Sequence, residues 1–265
     1  MPGQTVAGEQ RKAPKPVLVL LHGGGPGVDA RSNWRTVRPR LSERFDCVAP
    51  DLLGFGSQVV LAAAEQDLPR GPTAWARARA RQVLQLLDRM GLARVHVLGN
   101  SAAGGAAALA LLATAPDRVE KTIVMGGAGT GPLPPRVPFY DDPTRDSMRA
   151  ALGRLVADEH DHPDLLEELT GYRHAQALRP GAEVAFRAMF LPDAAEVPRL
   201  DLSTVDSPVL ALHGERDRVA PVTVSERLVA ALPQARLEVV EGAGHWIHVD
   251  RPDEFCGHVE RFLAP

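Results

Sequence analysis

Cysteine is scarce in this chain. Cys47 and Cys256 are the only two among 265 residues, too few for a disulfide framework and suited to a reducing compartment. Long apolar runs are lacking as well. None approaches the ~18 residues of a membrane-spanning helix, and the few basic residues near the N-terminus precede no apolar stretch before Val17, so neither a span nor a secretory signal is expected. Positive charge is not in excess. The 30 Lys and Arg against 33 Asp and Glu leave a net charge of -3, which argues against a nucleic-acid partner, since that calls for a basic patch or stripe. No internal repeat or low-complexity tract is present. The glycine-rich stretch after Val17–Leu21 lacks the G-x-x-x-x-G-K-[ST] of a phosphate-binding loop. His22, His213, His245 and His248 have no matching ligand cluster, so no metal or other cofactor is expected. What survives is a soluble cytoplasmic protein whose partner is a small molecule, with no nucleic acid and no membrane. Association as a homodimer or homotetramer stays open.

What is present is apolar content of 45%, enough to bury a sizeable core in one large α/β domain with an insertion. Residues 1–16 are polar and punctuated by proline, with Thr5–Ala7 as a possible strand end. Val17–Leu21 is a continuous apolar run, as in a strand buried on both faces of a parallel sheet. Ser32–Arg44 suits a helix, Phe45–Ala49 a strand closed by Pro50, and Thr73–Met90 a long helix stopped by Gly91. Arg77, Arg79 and Arg81 on that helix read as a solvated face. Val95–Leu98 and Thr122–Met125 follow as strands, with a small-residue helix, Ala106–Ala115, between them. Gly126–Pro143 is rich in Gly and Pro, and Arg145–Leu191 has helical periodicity with no strand signal. The strand pattern then returns in Val209–Leu212, helix Val222–Leu232, strand Leu237–Val240 and helix Pro252–Leu263. Strands alternating with helices predict a mostly parallel sheet covered by helices. The expected organisation is a core from 1–129 and 201–265, with residues 130–200 inserted as a helical lid before the last strands.

In an open α/β sheet the ligand site lies beyond the carboxyl ends of the strands. The most informative of these ends is Leu98-Gly99-Asn100-Ser101-Ala102-Ala103-Gly104-Gly105. An apolar run that stops at Gly-Asn-Ser and passes at once into a helix suits a sharp turn that lifts a serine hydroxyl above the sheet. Alone it could equally be a helix start with Asn or Ser as cap. Asp217, in His213-Gly-Glu-Arg-Asp217, lies just past one later strand, and His245, in Glu241-Gly-Ala-Gly-His245, just past the next. The two are 28 residues apart, room for one helix and one strand. Serine needs a base to take its proton, histidine titrates near neutrality, and a carboxylate can hold the imidazole tautomer. Ser101, His245 and Asp217 are therefore the candidate catalytic residues. Glu215 and His248 are weaker rivals for the last two roles. The N–H of Ala102, after the serine, and of Gly24, in His22-Gly-Gly-Gly-Pro-Gly27, are candidates for an oxyanion hole.

These motifs make the chain resemble the α/β-hydrolase superfamily over nearly its whole length. More narrowly it is similar to the meta-cleavage product hydrolases, carbon–carbon bond hydrolases of aromatic degradation. The carrying residues are His22–Gly27, Ser32-Asn33-Trp34, Gly99-Asn100-Ser101, Tyr172-Arg173, Leu178–Gly181 and Gly244-His245-Trp246. The resemblance implies hydrolysis of a 2-hydroxy-6-oxo-dienoate: His245 assists ketonisation of the dienol, and Ser101 with water attacks the distal carbonyl. It also implies that Arg173 binds the substrate carboxylate, for which a guanidinium fork is suited, and that Asn33, Asn100 and Trp246 line the pocket. On spacing alone Arg173 could be a surface helix arginine. Some positions depart from the family pattern. Ala102-Ala103 stands where Met and the last elbow glycine are usual, Gly56-Ser57-Gln58 lacks the common Ser-Asp step, and the short N-terminus suggests that the first antiparallel strand is missing. A carboxylesterase or lactonase using the same triad is the alternative, followed by a non-hydrolytic member of the fold.

Overall fold

The computed structural model describes residues 15–59, 68–127, 138–197, 200–203 and 205–264. Among these, six strands form one parallel sheet in the order β2-β1-β3-β4-β5-β6. They are β1 (Val17–Leu21), β2 (Asp46–Val48), β3 (Val95–Asn100), β4 (Val119–Met125), β5 (Val209–Gly214) and β6 (Ala235–Val240). Alternation along the central strands divides the core into two layers. Val19 and Leu21 of β1 point to one face, with Val97 of β3 and Val124 of β4. Leu18 and Leu20 point to the other, with Leu98, Ile123, Leu210 and Leu212. With both faces covered, the strands carry apolar residues at successive positions, the signature that marked them in the sequence.

On the first face lie α3 (Pro72–Arg89) and α4 (Ala106–Thr114). Ala107 to Leu112 of α4 are all buried, as expected of a helix enclosed on every side. On the second face, Trp34 of α1 (Ala30–Trp34) and Leu41 of α2 (Arg38–Arg44) pack with Phe255 and Val259 of α10 (Pro252–Leu263). The single helix expected over Ser32–Arg44 is two. The first is capped by Asp29, whose carboxylate accepts from the Ser32 N–H, and the second restarts at Val37 with Pro39 in its first turn. β4 begins three residues earlier than expected and β6 two residues earlier. The expected solvated arginine face is corrected at Arg79, which is 3% exposed. Its guanidinium lies 4.9 Å from the Trp75 ring and 5.0 Å from the Phe55 ring, while its Nε donates to the Leu53 carbonyl.

Between β4 and β5 the chain forms α5 (Arg145–Gly153), α6 (Pro163–Ala177) and α7 (Ala182–Met189), with no strand among the described residues. Thr5–Ala7, and much of Gly126–Pro143, lie outside the described residues. After β5 come α8 (Thr223–Ala230), then β6 and the short α9 (Ile247–Asp250). From β1 the chain moves outward to β2, then returns across β1 to β3. That reversal is the switch point at which open α/β sheets form a crevice. The glycine loop after β1 and the Gly-Asn-Ser turn after β3 flank it.

Candidate active site

Among the described residues Ser101 is the only non-glycine residue with positive φ, at 56°, a conformation that side chains tolerate poorly. The tightness of the turn forces it. A Cβ on Gly99 would lie 2.4 Å from the Gly104 carbonyl oxygen, and one on Gly104 would lie 2.1 Å from that of Leu21. The elbow's glycine requirement therefore falls on Gly104, where the helix crosses β1, and Ala103 is tolerated one residue earlier. Ala103 in turn faces Gly24, whose added Cβ would sit 3.1 Å from its methyl, so the glycine loop rests directly on the elbow.

His245 joins the serine to the acid. Its Nε2 lies 2.8 Å from Ser101 Oγ, and its Nδ1 lies 2.7 Å from Asp217 Oδ2. The histidine and aspartate side chains are 2% and 1% exposed. Asp217 Oδ1 accepts the N–H groups of Val219 at 2.7 Å and Ala220 at 2.9 Å. Burial alone pushes this carboxyl up, but the His245 hydrogen bond and charge and the two N–H bonds outweigh it, leaving it below the ordinary value. Asp217 is thus ionised near neutrality and fixes the tautomer that leaves Nε2 free to accept the serine proton. His213 stands behind it, donating through Nε2 to the Ala220 carbonyl at 3.0 Å. Gly126, at φ 72°, leaves room for the imidazole: a Cβ there would meet His245 Cε1 at 2.7 Å. The rivals are engaged elsewhere. Glu215 accepts the Gly242 N–H, and His248 donates to the Asn33 carbonyl.

The glycine loop commits one N–H and leaves the next. Gly23 N–H donates to Asn33 Oδ1 at 3.1 Å, and Asn100 Nδ2 donates to the same oxygen at 2.9 Å. Gly24 N–H makes no hydrogen bond among the described residues. His22 holds the loop from below. Its Nδ1 donates to the Gly23 carbonyl at 2.8 Å and its Nε2 accepts the Leu52 N–H at 2.9 Å. Burial lowers it to about 4, so it is neutral.

Arg173, on α6, is 2% exposed; the surface-arginine alternative is excluded. Its guanidinium stacks 4.8 Å over the Trp246 ring, beside His245, and Nη1 reaches within 3.5 Å of the point where a Gly25 Cβ would stand. Among the described residues Nε and Nη2 have no partner, and neither do Asn33 Nδ2 and Asn100 Oδ1. Burial lowers the guanidinium to about 10, with Asp29 and Tyr172 acting in the other direction; it remains a cation. Burying a cation with two donors unfilled is costly. The next residue toward the N-terminus fixes its position, for the Tyr172 hydroxyl donates to the Asp29 carboxylate. Gly27 does the same from below: a Cβ there would fall 1.9 Å from the Arg173 carbonyl oxygen.

Ser101, His245 and Asp217 are therefore brought together, Asn33 meets Asn100, Gly24 meets the elbow at Ala103, and Arg173 meets Trp246. Gly126, His213 and His22 were missed, because a turn glycine and two strand-end histidines carry no local mark of what they touch. Among the described residues no group of three or more His, Cys, Asp or Glu could hold a metal ion, and no helix is long and apolar enough to cross a membrane.

Comparison with known proteins adds an independent line. The chain is 34% identical to a 2-hydroxy-6-oxo-2,4-heptadienoate hydrolase of Pseudomonas putida, covering 93% of this chain and 88% of that one. It is 31% identical to a 2-hydroxymuconate semialdehyde hydrolase of a Pseudomonas species, covering 93% and 86%. The solved structure of a 2-hydroxy-6-oxo-6-phenylhexa-2,4-dienoate hydrolase from a Rhodococcus species superposes with a TM-score of 0.82 at 34% identity, over 94% of this chain and 91% of that one. The alpha/beta hydrolase family model matches residues 18–258, and the chain belongs to that family.

Proposed function

We propose that this protein hydrolyses a carbon–carbon bond in a 2-hydroxy-6-oxo-dienoate, with Ser101, His245 and Asp217 as its triad. The observation that carries this reading is Arg173, a buried guanidinium with two nitrogens unpartnered beside the His245 loop. A neutral ester offers such a group only uncharged acceptors, whereas a 2-oxo or 2-hydroxy carboxylate offers a negative charge and a two-point hydrogen bond. Asn33, Asn100 and Trp246 complete the wall around the dienoate, and residues 130–200 act as the lid that carries Arg173.

The chemistry follows from that pose. With the carboxylate held on Arg173, the 2-hydroxyl proton is lost and C5 gains one, through His245, giving the 2,6-diketone. Ser101 Oγ or a water then adds to the C6 carbonyl while His245 takes its proton. The resulting oxyanion receives the N–H groups of Gly24 and Ala102, each worth about 3 kcal/mol of barrier. Collapse breaks the C5–C6 bond, and the electron pair flows into the dienolate, conjugated with the C2 oxygen. Where serine attacked, water releases the acid in a second step. The sum is substrate plus one water, giving a carboxylic acid and a 2-hydroxydienoate, with no other co-reactant.

Loss of visible absorbance of a 2-hydroxy-6-oxo-6-phenyl dienoate by the purified protein tests this, alongside hydrolysis of a p-nitrophenyl ester. Fast dienoate turnover that disappears in Ser101→Ala is expected. Arg173→Gln should cut kcat/KM for the dienoate by about 10²-fold, an interaction of about 3 kcal/mol, and leave the ester rate within a few-fold. Ester cleavage with no dienoate turnover would replace the reading with that of a carboxylesterase or lactonase.

A further inference from the structure

The loops that carry Asp217 and His245 are not held by the sheet alone. The turn that ends α5, residues 153–157, lies across both. On the histidine side, Trp246 N–H donates to the Leu155 carbonyl at 2.7 Å, immediately after His245. Immediately before it, Gly244 N–H donates to Asp250 Oδ2 at 2.7 Å, and the same oxygen accepts the Ala157 N–H at 3.0 Å. On the acid side, Arg218, next to Asp217, donates to the Gly153 and Val156 carbonyls at 2.7 and 2.8 Å. The fit is close: a Cβ on Gly244 would stand 2.6 Å from Ala157 N, and one on Gly214 would stand 2.0 Å from the Gly244 carbonyl oxygen.

Asp250 is the buried member of this junction. Its side chain is 3% exposed, and its second oxygen lies 3.0 Å from Nε2 of the half-buried His162. A carboxylate placed there accepts three donors from two separate parts of the chain, where a shorter or apolar side chain would leave two buried N–H groups without a partner. Neither Asp250 nor Arg218 touches Ser101 or the imidazole, so whatever they contribute acts through the loops.

We propose that Asp250 and Arg218 are positioning residues that clamp the 153–157 turn onto the two loops, so that the helical insertion and the acid–base pair form one rigid unit. The inference rests on the triad proposed above. Its physical basis is that displacement of a reacting group by about 1 Å can cost 10²-fold in rate, and that such groups need a supporting shell with fixed geometry.

The test uses a fluorophosphonate, which does not depend on which substrate the protein takes. Ser101 Oγ bonds to phosphorus, fluoride leaves, and the serine proton passes to His245. The labelling rate is read per folded molecule, with the folded fraction taken from near-ultraviolet circular dichroism. Asp250→Ala is expected to slow labelling about 10²-fold and Arg218→Ala about tenfold. Asp250→Asn, whose amide oxygen can still accept both N–H groups, should return to within about threefold of wild type. Arg145→Ala, which removes an exposed ion pair to Glu167 in the same insertion, should label at the wild-type rate. Arg218 is exposed, so its variant decides the matter if Asp250→Ala fails to fold. Wild-type labelling rates in Arg218→Ala and in folded Asp250→Ala overturn the clamp, whatever their melting temperatures. Failure of Asn to restore the rate overturns the assignment to the N–H bonds. If Ser101→Ala labels like wild type, it is the triad that falls.

Discussion

Gly126 is where a single hydrogen atom decides the position of the proposed general base. It follows β4, its N–H donates to the Leu212 carbonyl at 3.0 Å, and the His245 ring packs against its α-carbon. Gly126→Ala adds a methyl 2.7 Å from Cε1 at a φ of 72°, so the backbone strains and the ring must move. The strain costs about 1–2 kcal/mol, which the fold can absorb. The displaced imidazole cannot serve both Ser101 and Asp217, and kcat should fall about 10²-fold with little change in KM. Steady-state kinetics on the dienoate check this, and an unchanged kcat would show that the ring has slack the distances do not suggest. Arg79 teaches the complementary lesson. Three arginines at alternate positions of α3 look alike in the sequence, yet Arg81 is exposed and Arg79 lies under Phe55 and Trp75. Only the packing of the 53–55 loop distinguishes them.

At the scale of elements, the turn from β3 to α4 shows how a motif can keep its shape while changing its letters. The pattern expects glycine where Ala103 stands, but backbone meets backbone at Gly104 and Leu21. Gly104→Ala should therefore cost about 3 kcal/mol or more, since neither partner is a side chain that can turn aside. Ala103→Gly, which restores the common letter, should cost only about 1 kcal/mol from the lost methyl and the looser helix. Urea unfolding of the two variants tests the ranking, and equal stability of Gly104→Ala and wild type would refute it. The strands, this turn and the Ser, Asp, His order at the ends of β3, β5 and β6 were legible because each is local: an apolar run, a glycine and a reactive side chain within a few residues. The contacts of Asp250 were not, for its partners Ala157 and His162 lie 93 and 88 residues away. The break between α1 and α2 was also hidden, because Asp29 caps a helix whose continuation had no stop signal stronger than Pro39.

For the molecule as a whole, two neutral histidines set the acid limit. His22 and His248 are fully buried, and burial lowers them from the ordinary 6.5 to about 4 and about 3. Between those values and 6.5 the unfolded chain binds protons that the folded chain refuses, so stability falls as the pH drops. From pH 6.5 to 5 each contributes a loss of about 2 kcal/mol. The depressed carboxyls Asp51 and Asp217 add their own loss only below about pH 4, where they protonate in the unfolded state. Burial also lowers His96 and His213, so urea melts at pH 7 and pH 5 should differ by at least about 4 kcal/mol, and a flat profile across that range would mean that the buried rings gain partners as they charge.

The backbone of Ser101 carries a consequence for the economy of the fold. At φ 56° the residue occupies a region that costs an L side chain about 1–2 kcal/mol and costs glycine almost nothing. Deleting the hydroxyl alone, as in Ser101→Ala, keeps that cost, whereas Ser101→Gly removes hydroxyl and strain together. Both remove the proposed nucleophile, yet the glycine variant should melt higher than the alanine variant by an amount equivalent to about 1 kcal/mol, which calorimetry of the pair can read. The side chain proposed to begin the reaction thus stands at the one described position where a purely structural optimisation would place glycine.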